Sequence, residues 1–210
     1  MKSILHNIVD HVVLLSMEEG KTRHMHSQFD NLGISEELFK GIPGSAVKDK
    51  YPEDAIKRFY LNAFGNLESF RRIMKKYYES RAIALFEDEL ILVHDFNEQL
   101  ERFMNEVPTD WDMIYFSGNH TAKPERITNH VYRIMGSWGI HGIILHKRTY
   151  DEVIQLTDKF PVPFDSVMHD MQYHRKAYCT NPHLTYPYPS FSTVQERFYY
   201  YNFKSPEMLR

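Results

Sequence analysis

RAIALFEDELILVHDF, residues 81 to 96, is the stretch on which the fold turns. Apolar and small residues run from Ala82 to Phe86 and meet three consecutive acids, Glu87, Asp88 and Glu89. The chain then turns apolar again at Leu90. The uninterrupted apolar run reads as a strand buried on both faces. Three carboxylates at the end of such a strand repel one another and raise one another's pKa, and a cation is the usual remedy. In extended backbone Glu87 and Glu89 point to one face and Asp88 to the other. A pair so spaced suits one hard divalent cation, Mn²⁺ or Mg²⁺, with coordination positions left for water and substrate phosphates. A solvated acidic turn is the competing explanation. Against it stand the apolar residues on both sides, which set the cluster in a cleft or at a bulge.

The same logic extends in both directions. Residues 8–16, IVDHVVLLS, form an earlier buried strand, and Met25, Phe29 and Leu32 recur at helical spacing until Gly33 stops the helix. Residues 40–54, rich in Gly, Pro and charge, read as a loop. From Ala55 to Ser80 one long helix is expected, with Leu67, Phe70, Ile73, Met74 and Tyr77 as its apolar stripe. Downstream come a helix over 96–107, a strand over 110–118, strands within 131–147, two helices between Arg148 and Lys176, and a short strand at KAYCT. Alternating strands and helices predict an α/β fold whose twisted central sheet is mostly parallel, with helices on both faces. Ligands of such sheets bind beyond the carboxyl ends of the strands. Ser16, the acids at 87–89 and Ser117–Gly118–Asn119 close three strands and, if these are parallel neighbours, share one rim.

The bulk numbers narrow the function classes. A chain of 210 residues, 42% hydrophobic and 25% charged, is expected to form one globular domain over 1–210. Its net charge of −3 offers no field for nucleic acid. A single cysteine, Cys179, excludes an internal disulfide and suits a reducing compartment such as the cytoplasm. No run reaches the roughly 20 apolar residues of a membrane span. There is no GxxxxGK[ST], GxGxxG, CxxC or HExxH. The 12 histidines include the pairs His24 and His26, His141 and His146, and His169 and His174, none at zinc spacing with supporting cysteines. His120 and His141 are placed by position to assist a metal or bind a phosphate. Many rings (14 Tyr, 14 Phe, 2 Trp) serve a core or line a site for sugars or bases. The aromatic segments HLTYPYPSF and RFYYYNFK near the end either wrap over the domain or lead into a longer chain.

In this order the elements resemble the lipopolysaccharide-type (family 25) glycosyltransferases of GT-A fold, and the chain is also similar to glycosyltransferases encoded by chlorella viruses. The likeness is carried by VVLLSMEEGKTRHMHSQFDNLGI, by Gly65 and Ser69 in GNLESF, by ALFEDEL, DWDMIYFSG and GSWGIHGIILHKRTYDEVI, and by PVPFDSV, over most of residues 8 to 192. Two positions depart from it. Glu89 stands where the family has Asp, and Phe70 stands where it tends to place His.

The resemblance implies a metal-dependent hexosyltransferase that takes a nucleotide-sugar donor, a UDP-sugar, and a glycan or glycoprotein acceptor. It further implies a viral chain working in the host cytoplasm as the first domain of a longer protein. Glu87 and Glu89 would hold the metal against the departing diphosphate. Asp88 would lie near the ribose or donor sugar, Leu15, Ser16 and Met17 would meet the nucleoside, and Arg23 would pair with a phosphate. Asn66 and Ser69 are further nucleotide candidates. Asp165, then Asp170, are the choices for a general base, with a helix N-cap as the competing role for Asp165. Trp138, with His120 and His141, would line the sugar pocket, unless the tryptophan belongs to the core. A metal-dependent nucleotidyltransferase or phosphoesterase, and a non-catalytic sugar-nucleotide-binding module, are the alternatives.

Overall fold

A computed structural model of the chain describes residues 2–188, 190–192 and 197–199; most of RFYYYNFK lies outside them. The N-terminal half runs α1 (Leu5–Ile8), β1 (His11–Ser16), α2 (Glu19–Leu32), β2 (Glu37–Lys40), α3 (Glu53–Phe59), α4 (Leu61–Lys76) and β3 (Ala82–Glu87). The middle adds β4 (Leu90–Leu92), α5 (Phe96–Glu106), β5 (Met113–Tyr115), β6 (Asn119–His120), β7 (Glu125–Arg126), β8 (Val131–Arg133), β9 (Ser137–Trp138) and β10 (Ile143–His146). The rest is α6 (Tyr150–Lys159), α7 (Phe164–Met171), β11 (Ala177–Thr180), β12 (Thr185–Pro187), β13 (Ser190–Ser192) and β14 (Arg197–Tyr199).

Eight strands form one sheet in the order β2-β1-β3-β10-β5-β11-β8-β7. Parallel pairs join β1 to β2, β1 to β3 and β5 to β11. β10 runs antiparallel between β3 and β5, and β8 antiparallel between β11 and β7. Six strands therefore share one direction and two oppose it, so the fold is α/β with a mostly parallel sheet. The period-2 alternation of side chains explains why its strands are apolar throughout. Val13, Ile83 and Leu85 face a layer built from α4, α6 and α7, with Phe64, Leu67, Phe70, Val153 and Phe164 buried there. Val12, Leu14, Ala84 and Phe86 face α2 and α5, where Met25, Phe29, Phe96 and Phe103 are buried. Among the described residues no helix is long and apolar enough to cross a membrane.

Two local features differ from the sequence expectation. The single helix expected over 55–80 is two, because Tyr60 sits between them at φ 68, ψ 144. Helical periodicity continues across that residue, so composition alone does not reveal the break. The expected loop at 40–54 contains a 3-10 segment at Gly44–Lys50 and the start of α3. This segment is clamped onto α4. Ser69 Oγ accepts the Ile42 N–H at 2.9 Å and donates to Gly65 O at 2.8 Å. A Cβ at Gly65 would lie 2.2 Å from Ile42 O and 2.7 Å from Gly44 N. Both neighbours are backbone, so neither yields easily. Gly65→Ala is expected to cost roughly 1–3 kcal/mol of stability, as overpacking of a tight contact does, read as a lowered urea midpoint at unchanged m-value.

Candidate active site

The carboxyl ends of β1 and β3 open into a cleft of about 720 Å³. Parallel pairing sets Leu15 opposite Glu87, so the last residues of both strands reach the rim together. Of the side chains singled out in the sequence, Leu15, Ser16, Met17, Asn66, Ser69, Glu87, Asp88, Glu89, Trp138, His141 and Asp165 line this one cleft. Arg23 is exposed on α2 and does not line it, and neither do Asp170 or His120. Asp170 is exposed and pairs with His169 at 3.4 Å. His120 lies against Ser137 and His183.

The chain bends at Asp88–Glu89 between β3 and β4. That bend ends the strand alternation, so Asp88, expected on the opposite face, lines the cleft together with Glu87 and Glu89. Each acid has its own neighbour. Glu87 accepts from Asn66 Nδ2 of α4 at 3.3 Å. Asp88 accepts from the Ser16 hydroxyl at the end of β1. Glu89 pairs with Lys21 of α2 at 3.6 Å. The fourth acid, Asp165, enters from across the cleft in the first turn of α7, whose N-cap is Pro163. Asp165 is therefore not the helix cap, and its carboxylate accepts the Gly139 N–H instead.

What fixes Asp165 there is packing. Phe164 stacks on Phe70 with ring centroids 4.1 Å apart and planes 11° from parallel. Phe70, an apolar residue where the resemblance expects His, thus ties α4 to α7. Trp138 stacks on His169 with centroids 4.3 Å apart. Beside it the fully buried Gln172 accepts the Gly136 and Ser137 N–H groups at 3.0 and 2.7 Å and donates to Tyr115 Oη and Ser137 O, both at 2.9 Å. Gln172, Lys21, Arg58 and Tyr60 carry no sequence signal that marks them. Lys21, Arg58 and Tyr60 reach the cleft only through the way α2, α3 and α4 close over it.

Negative charge in this cleft is poorly solvated. Glu87 is held well above the usual carboxylate range, first by burial and then by the charges of Asp165, Asp88 and Glu89, against the hydrogen bond from Asn66. Burial likewise raises Asp88, although Ser16 and Lys21 oppose the shift. Asp165 is pushed up to about 6 by burial, against its bond from Gly139. Burial moves His141 the other way, down to about 4, so that ring is neutral at neutral pH. An all-oxygen, acidic donor set of this kind fits a hard divalent cation, because such a cation reverses each of the carboxyl shifts.

Comparisons with known proteins bear on the fold alone. No family model matches the sequence, and no curated protein is significantly similar to it. Among solved structures the chain is similar to A197 from STIV at 13% identity and TM-score 0.43, covering 80% of this chain and 79% of that one. It is similar to a glycosyltransferase involved in glycosylation of the major capsid of PBCV-1 at 9% identity and TM-score 0.41, covering 72% and 67%. It is also similar to a Drosophila β1,4-galactosyltransferase 7 variant in complex with manganese, UDP-Gal and xylobiose, at 12% identity and TM-score 0.44, covering 95% and 79%. At these values no residue role passes from those proteins to this one.

The raised carboxyl of Asp165 makes a pH prediction. Its folded value of about 6 lies above the ordinary 3.8, so between these the native chain binds more protons than the unfolded one. Stability therefore falls as pH rises through that window. Asp165→Asn removes the dependence while keeping an oxygen for the Gly139 N–H. In chelator-containing buffer the variant is expected to melt at or above the wild-type temperature at pH 7 and to lose that advantage well below pH 3.8.

Proposed function

We propose that the chain is a metal-dependent glycosyltransferase of GT-A type, transferring a hexose from a nucleotide donor, a UDP-sugar, to a hydroxyl of a glycan. The observation that carries this reading is the meeting of four carboxyl groups, three of them raised in pKa, beside a nucleoside-sized rim at the carboxyl ends of β1 and β3. This is where an open α/β sheet binds its ligand.

Glu87 and Glu89, with Asp88 between them, are the residues that would hold the ion. Mn²⁺ and Mg²⁺ are bound through few carboxylates and complete their shell with water and phosphate oxygens, so two acids on an open cleft suit them better than a closed cage. Bound there, the ion supplies Lewis-acid stabilisation of the diphosphate that leaves. The chain's own groups do the rest. Leu15, Ser16 and Met17 present the rim to base and ribose, and Asp88, oriented by Ser16, faces the sugar hydroxyls. Lys21 and Arg58 contribute positive charge toward the phosphates, the task that the sequence suggested for Arg23. Asp165 would accept the proton of the attacking hydroxyl, and a carboxyl pushed up to about 6 suits a general base working at neutral pH. Trp138, backed by His169, offers a flat face to an acceptor sugar.

Incubation with UDP-sugars and Mn²⁺ tests the reading. UDP and free or transferred sugar are the expected products; UMP or inorganic phosphate would instead identify a nucleotidyltransferase or phosphoesterase. Glu87→Gln is expected to lower kcat by about 100-fold or more. Asp165→Asn is expected to lower transfer to an acceptor by about 100-fold or more, with little change in KM for the donor. Unchanged UDP release by Glu87→Gln would remove the metal assignment.

A further inference from the structure

Outside the acidic cleft, one cluster of side chains has no part in the proposed reaction. His120 of β6, Cys179 of β11 and His183 of the following loop bring one ligand atom each to within 4.8 Å of the other two, and among the described residues no other group of three or more His, Cys, Asp or Glu side chains does so. Cys179 and His183 are four residues apart, but His120 is remote in sequence, and a lone Cys-x3-His pair does not by itself mark a zinc site. From these positions the geometry points to a second metal site, distinct from the acids at 87–89, in which His120, Cys179 and His183 bind one Zn²⁺ ion.

Several independent observations carry it. The Nε2 atoms of His120 and His183 face each other at 3.4 Å. Two nitrogens bound to one tetrahedral zinc at about 2.0–2.1 Å stand about 3.3–3.4 Å apart, so the rings already have the spacing of a ligand pair. The other nitrogen of His120, Nδ1, bonds the Ser137 hydroxyl, the outer contact that fixes ring and tautomer in metal-bound histidines. His183 is fully buried, so its Nε2 faces His120 away from bulk solvent. Cys179 is also fully buried, and its thiol hydrogen-bonds Thr180 O at 3.5 Å. Burial, with the neighbouring histidines adding to it for His183, lowers His120 to about 4 and His183 to about 3, so both rings are in the neutral form that binds metal. Burial raises the Cys179 thiol, so uptake of an ion expels its proton.

The donor chemistry sets this site apart from the cleft. A thiolate and two imidazoles select Zn²⁺ over Mn²⁺ or Mg²⁺, and three protein ligands leave the fourth position for water. The ion would fasten β6, and through Ser137 the β9 strand that carries Trp138, to β11 and the loop after it. It would thus tie these elements together while keeping one coordination position open.

Co²⁺ titration of the metal-stripped full chain tests this, with Glu87→Gln/Glu89→Gln as the background that removes the proposed hard-ion site. One Co²⁺ per chain is expected, with tetrahedral d–d bands and a thiolate-to-cobalt charge-transfer band, and Zn²⁺ should displace it and raise the melting temperature. Cys179→Ser should abolish the charge-transfer band, and His183→Ala should weaken binding at least tenfold. Should either variant fail to fold, X-ray absorption of the Zn²⁺-loaded unsubstituted chain decides, one sulfur and two imidazole nitrogens being expected. Octahedral spectra, a zinc shell without sulfur, or less than one ion per chain would overturn the site. None of these results depends on whether the chain transfers sugars.

Discussion

The constraint on which the structure depends is the cost of keeping carboxylates out of water. Glu87 ends a buried strand, and Asp165 faces it from the first turn of α7, both raised by desolvation. A protein maximising stability alone would not place them so, since ionised groups removed from solvent are costly unless something of opposite charge approaches. Lys21 answers Glu89, and Asn66 and Ser16 answer Glu87 and Asp88 with hydrogen bonds. Glu87, Asp88 and Asp165 nonetheless hold their protons too tightly, the state that a cation relieves.

The rest of the fold serves that arrangement. Parallel pairing of β1 with β3 aligns Ser16 and the acidic bend at one rim, and the antiparallel β10 fills the sheet between β3 and β5. Gly65 and Ser69 press the Ile42 loop against α4 to make one wall. The Phe70–Phe164 stack holds α7 so that Asp165 meets Glu87, and Gln172 props the segment leading to Trp138. Few of these contacts touch a substrate in any reading. They decide where the chemistry-bearing groups stand.

Much of this was legible in the sequence because the governing signals are local. Continuous apolar runs ending in polar residues gave β1, β3 and their shared rim, and eleven of the side chains named from the sequence line one cleft. What the sequence concealed depends on longer-range geometry. The break at Tyr60 leaves helical periodicity intact on both sides. The bend at 88–89 brings Asp88 into the cleft beside Glu87 and Glu89, where strand alternation implies the opposite face. Short strands such as β2, whose residues are mostly exposed, have no hydrophobic pattern to announce them. Lys21 and Arg58 look like ordinary surface cations until the helices are placed. Likewise, His120, Cys179 and His183 meet only because β6, β11 and the loop after β11 converge.

The most direct measurement is calorimetric titration of the chain with Mn²⁺ at pH 6 in buffers of different ionisation enthalpy, with and without UDP. If the acids at 87–89 and Asp165 hold the charge described, Mn²⁺ binding releases protons, tightens as pH rises, and strengthens UDP binding. UDP binding that is indifferent to Mn²⁺ and chelator, with no proton release on adding the ion, would contradict it.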